Sequence, residues 1–68
     1  MKEIFAKRLK ELREEKGLSM LALSKMIGIS DSSIGRWEHA EGDIRGEQLV
    51  VLAKFFHVST DYLLGLED

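Results

Sequence analysis

The chain has no cysteine and no proline, and only three Phe, one Trp and one Tyr among its 68 residues. Without cysteine it can form neither a disulfide nor a thiolate metal site. A chain near the lower size limit of unaided folding must then hold by packing alone. The same lack fits a reducing compartment. No apolar run approaches the roughly 20 residues of a membrane span, and no basic-then-apolar leader opens the sequence. These absences predict one soluble, cytoplasmic domain spanning residues 1–68. An excess of positive charge is also missing, with a net value of −2 and a pI near 5.6. Nucleic-acid binders are expected to carry a basic face. The charges are uneven, however. Residues 1–16 hold six Lys/Arg against four Asp/Glu, residues 17–39 two against two, and residues 40–68 two against six. Any DNA face must lie in the first 39 residues, with the acidic tail turned away.

With proline absent, glycine is the main punctuation, and Gly17, Gly28, Gly42 and Gly65 fall between apolar periodic segments. No interval is rich in alternating β-branched residues, so the expected fold is all-α. A first helix is predicted over 2–15, burying Phe5, Leu9 and Leu12, with Lys2, Lys7, Lys10, Glu11 and Glu14 on the other faces. Ser19 offers an N-cap hydroxyl to a second helix, about 19–26, with Leu23 and Ile27 on its buried side. Gly28 gives a sharp turn at little steric cost. Ser30 caps a third helix, about 31–38, with Ile34 and Trp37 inward and Asp31, Ser32, Ser33, Gly35 and Arg36 outward. A fourth helix, about 46–56, turns Leu49, Leu52, Ala53 and Phe56 inward. Its start is weakly specified: Arg45 cannot cap, and Gly46 costs about 1 kcal/mol relative to alanine. Ser59 caps a last turn or two carrying Tyr62, Leu63, Leu64 and Leu66.

The stretch from Met20 to Trp37 is the informative one. Two short helices meet at a tight glycine turn, with apolar residues at Leu23, Ile27, Ile29, Ile34 and Trp37. Small Ser24 stands where the helices approach. This is the pattern of a DNA-binding helix-turn-helix, whose second helix is held by its inner residues and projects its outer face into a major groove. The segments FAKRLKELREEKGLS (5–19), IGIS (27–30), SIGRWE (33–38) and LAKFFHVSTDYLLGL (52–66) resemble the Cro and phage-repressor type of helix-turn-helix domain, the xenobiotic-response-element family. The resemblance runs without gaps over nearly the whole chain. It implies a five-helix, lambda-repressor-like domain.

The resemblance also implies roles. Asp31, Ser32 and Arg36 align with residues that meet base edges, and Ser33 and His39 with residues that touch phosphate. Ser30 and Lys25 complete the expected DNA face. Met20 stands where the family usually has a glutamine on phosphate. Arg13 and Glu38 align with a structural ion pair. The departures are Met20 for an amide, Leu21 and Ala22 for polar residues, a carboxylate at Asp31, and Glu41 and Asp43 in a loop often basic in relatives. Ile44 stands where proline is common. A phosphate anchor that is missing lowers affinity and flattens its salt dependence.

Several residues admit two readings. The planar fork of Arg36 suits guanine O6 and N7, or it pairs on the surface with Glu41 or Asp43. Asp31 accepts from cytosine N4, or it satisfies the helix dipole. Trp37 is core, or a stacking platform for single-stranded bases. Met20, Leu21 and Met26 form a protein-binding patch, or pack locally. Phe55, Tyr62, Leu63 and Leu66 are candidate dimer contacts, or close the core. His39 and His57 do not form a metal site, no serine has His/Asp support, and no glycine loop cradles phosphate. No cofactor, metal or enzymatic activity is expected. The sequence therefore predicts a sequence-specific double-stranded DNA binder, a small transcriptional regulator of repressor type acting as a dimer. The alternative is a protein-binding module on the same scaffold, in an antitoxin-like or anti-repressor role.

Overall fold

The computed structural model describes residues 2–67, and among them there are five helices and no strand. They are α1 (Lys2–Glu15), α2 (Met20–Ile27), α3 (Asp31–Glu38), α4 (Gly46–Phe56) and α5 (Thr60–Leu64). Three of the five starts are set by a serine just outside the helix. Ser19, Ser30 and Ser59 hold extended backbone while the side-chain oxygen accepts from the N–H of Ala22, Ser33 and Tyr62. Each hydroxyl thus satisfies one of the donors that a helix start leaves over. α2 begins at Met20 rather than Ser19 for this reason. The start of α4 is better specified than its sequence suggests: the Gln48 Oε1 accepts the Arg45 backbone N–H at 3.0 Å. The guanidinium of Arg45 has only donors and cannot return the bond.

Each helix contributes one fully buried aliphatic side chain to a common centre. These are Leu9, Leu23, Ile34, Leu52 and Leu63. Around them pack Phe5, Trp37, Ala53 and Phe56. Such residues typically cost about 2–5 kcal/mol on truncation to alanine. Trp37 is 5% exposed and lies against Phe5, ring centroids 6.3 Å apart at 58°. It is a core residue, unavailable for stacking on bases. Trp37 is thus inward as its spacing predicts; the reading of Leu63 as a dimer contact is corrected in favour of its alternative, closing the core. Leu63 is fully buried, because α5 packs on both α1 and α4 and this is its inward side chain. Of the other dimer candidates, Phe55 and Tyr62 are half-buried and Leu66 is 64% exposed. No helix is long and apolar enough to cross a membrane among the described residues.

Candidate nucleic-acid interface

α2 and α3 pack against each other across the turn at Gly28, whose left-handed backbone (φ 73°) ends α2 while its N–H donates to the Ser24 carbonyl. Ile34 and Trp37 anchor α3 to the core. With 3.6 residues per turn, Ser32, Arg36 and His39 then fall on one stripe opposite those anchors. All three lie on the outer side of α3, and Ser30 and Asp31 at its start are exposed. Of the residues expected outward, Asp31, Ser32 and Arg36 are exposed, whereas Ser33 and Gly35 are half-buried and Gly35 faces Met20.

The hydroxyls at the start of α3 are partly committed. The Ser30 Oγ accepts from the Ser33 N–H at 3.2 Å and donates to the Ser33 Oγ at 2.9 Å. Ser33 keeps its own hydroxyl proton free to donate outward. Asp31 stands in the first turn, where a carboxylate is favoured by the helix dipole. At the other end, the His39 Nδ1 lies 2.7 Å from the Gly35 carbonyl. A carbonyl only accepts, so Nδ1 carries a proton; in the neutral ring Nε2 is then an acceptor, and it donates to a phosphate only when the ring carries both protons.

Met20 does not reach outward as the sequence pattern implies. It is half-buried and packs against the core, and its Sδ would stand 3.5 Å from a β-carbon on Gly35. Glycine in a helix interior costs about 1 kcal/mol, so it often marks a close approach. Gly35 was the available signal for this contact. Leu21 and Met26 are exposed, but five positions apart they point roughly 140° from each other around α2. They do not form one patch with Met20. Lys25 is exposed on the same helix.

Arg36 makes no ion pair with Glu41 or Asp43 among the described residues; Asp43 pairs instead with Lys2 at 3.2 Å. Its guanidinium lies over Gly42 in the loop joining α3 to α4. Beside the loop, a half-open cleft of about 330 Å³ has Phe5, Trp37, Ile44 and Leu64 on its floor and Lys2, Glu41 and Asp43 at its rim.

The last residue of α3 is tied to α1. The Arg13 Nε and Nη2 donate to Glu38 at 2.6 and 2.9 Å, and Nη1 donates to the Leu18 carbonyl at 2.8 Å. The side chains are 11% and 2% exposed. The hydrogen bond to Glu38 raises the Arg13 pKa above its already high ordinary value, against a smaller opposing effect of burial. The fork geometry suits a carboxylate, and the pair holds the C-terminal end of α3 in place. Sequence reasoning missed Arg8, which is half-buried. Its guanidinium sits 4.2 Å from the Tyr62 ring centroid and donates to the carbonyls of Tyr62 and Glu67.

The helix-turn-helix family model matches residues 9–63. An uncharacterized HTH-type transcriptional regulator of Bacillus subtilis, YobD, is 40% identical over 65 residues, covering 96% of this chain and 58% of that protein. Repressor protein C2 of Salmonella phage P22 is 36% identical over 62 residues, covering 91% of this chain and 29% of the repressor. The chain thus spans about half, or less, of the length of these relatives. The crystal structure of the P22 c2 repressor in complex with a synthetic operator superposes with a TM-score of 0.81 at 36% identity, covering 87% of this chain and 89% of that one. The solution structure of the DNA-binding domain of the same repressor gives a TM-score of 0.79 at 37% identity, over 88% of this chain and 79% of that one.

Proposed function

The chain belongs to the helix-turn-helix family, and from that premise we propose that it binds double-stranded DNA sequence-specifically as a transcriptional regulator of repressor type, with α3 in the major groove. The observation that carries this reading is the outward stripe of Ser32, Arg36 and His39 on a helix anchored from behind by Ile34 and Trp37. A similar fold is seen on operator DNA in the P22 c2 complex.

In this reading Arg36 is the principal base reader, donating its fork to guanine O6 and N7. Ser32 and Asp31 meet neighbouring base edges. Ser33 meets phosphate through its hydroxyl proton, and His39 does so through Nε2–H in the doubly protonated ring. Lys25 contributes positive charge nearby, and Ser30 shapes the helix start. Met20, packed against Gly35, supports α3 from behind instead of meeting DNA. The protein acts as a dimer on a two-fold site. The longest dimension of the domain is 28 Å, shorter than the roughly 34–36 Å between half-sites one turn apart. One copy therefore covers one half-site.

Selection of bound duplexes from a random DNA pool at moderate salt tests the reading. Enrichment of one palindromic motif is expected, and Arg36→Ala is expected to relax one base pair of it at a cost of about 1–3 kcal/mol. A pool without any motif, with weak binding unaltered by Arg36→Ala, would overturn it. The second reading, a protein-binding module on the same scaffold, would then stand, with exposed Leu21 and Met26 as separate contacts on different sides of α2.

A further inference from the structure

The loop between α3 and α4 doubles back on the last turn of α3. The Glu41 N–H donates to the Arg36 carbonyl at 2.8 Å, and Ala40 and Gly42 both hold left-handed backbone, φ 58° and 70°. This brings the α-carbon of Gly42 under the guanidinium of its neighbour on α3. A β-carbon on Gly42 would stand 2.7 Å from the Arg36 Nη2, 3.2 Å from Cζ and 3.5 Å from Nε. The guanidinium occupies the space that any other residue at position 42 would fill. Glu41 and Asp43 flank the seat, yet neither forms an ion pair with Arg36 among the described residues. The side chain is positioned by shape rather than by a counter-charge.

We propose that Gly42 is a positioning residue for DNA reading: its missing β-carbon is the seat that pre-orients the Arg36 fork at the C-terminal end of α3. This rests on the base-reading role proposed for Arg36. An arginine at a surface has many rotamers, and ordering it on binding costs free energy. A seat in the free protein meets part of that cost beforehand, while leaving all five N–H donors without a carboxylate to compete for them.

The seat separates from loop stability because the clash is with the far end of a flexible side chain, so a β-carbon displaces Arg36 rather than the loop. Asparagine tolerates left-handed backbone better than most residues, so Gly42→Asn adds the β-carbon with little backbone strain. Two measurements decide the matter. In the free protein, the heteronuclear NOE of the Arg36 Nε is expected to show an ordered side chain that becomes mobile in Gly42→Asn, with the backbone of α3 unchanged. On the duplex enriched from the random pool, Gly42→Asn is expected to lower affinity about two- to tenfold. In an Arg36→Ala background the same change is expected to do nothing. An Nε that is equally ordered in both proteins, or an affinity decrease of equal size in both backgrounds, overturns the proposal. Failure of the base-reading role has a different signature: Arg36→Ala leaves discrimination intact.

Discussion

Glu38 is 2% exposed and would be an uncompensated charge without Arg13, which in turn is 11% exposed. Removing one partner of such a pair costs about 3–5 kcal/mol, whereas replacing both by apolar groups is often neutral or favourable. Arg13→Ala and Glu38→Ala are each expected to lower the Tm by more than about 10 °C in a domain of this size. Arg13→Met/Glu38→Leu is expected to melt above either single variant. Single variants that melt within a few degrees of the parent would show the pair to be solvated. The pH dependence has a definite sign. The hydrogen bond to Glu38 raises the Arg13 pKa above its ordinary value, so the guanidinium's contribution is complete below the unfolded value. It disappears only as strongly alkaline pH passes the raised one. The Arg13 contribution to urea stability is therefore expected to stay flat from about pH 7 to 10. The pair was legible through family resemblance at Arg13 and Glu38. Its bidentate geometry and its third bond to the Leu18 carbonyl were not, since they depend on how α1 crosses α3.

Helices of eight and five residues, such as α3 and α5, do not persist alone. Besides the buried Leu63, what holds α5 is Arg8, fifty-four positions from Tyr62 in sequence. It lies over the Tyr62 ring and binds two carbonyls near the helix C-terminus, where orphan acceptors and the negative end of the dipole favour a cation. Arg8→Ala is expected to cost about 1.5–3 kcal/mol and to speed amide exchange in α5 before the rest of the molecule. Uniform acceleration across all five helices would show that α5 is no separate unit. At the other functional edge, Met20 sits on Gly35 instead of presenting an amide at the start of α2. Met20→Gln is expected to raise affinity for specific and non-specific DNA alike. Because a neutral donor displaces no counterion, the slope of log K against log salt should not change. A steeper slope would contradict this.

For the whole molecule, an acidic balance of −2 leaves few cations to neutralise phosphates. Each neutralised phosphate contributes a salt slope of about −0.9, so a shallow slope is expected for one copy, and the proposed dimer would steepen it. Leu66, 64% exposed beside α5, is the best remaining dimer candidate, since Leu63 belongs to the core. Leu66→Glu is expected to leave the melting temperature of the domain within a few degrees while weakening self-association in sedimentation equilibrium and cooperative binding to the palindrome. Unchanged self-association would move the dimer contact elsewhere.

Local signals were readable from the chain. Apolar spacing at Leu9, Leu23, Ile34 and Leu52 announced the buried faces, and Ser19, Ser30 and Ser59 announced three helix starts. Both effects act within about four residues, where the sequence alone specifies the neighbours. Tertiary structure decided the rest: that Leu63 is buried, that Trp37 packs on Phe5, that Met20 rests on Gly35, and that Arg8 clasps α5. It also decided that the Arg36 fork lies on Gly42. Each depends on the crossing of two helices or the path of a loop, and so on the packing of all five helices around one centre. The outward stripe of Ser32, Arg36 and His39 needed both levels. Helical periodicity put the three on one side, and the burial of Ile34 and Trp37 turned that side to solvent.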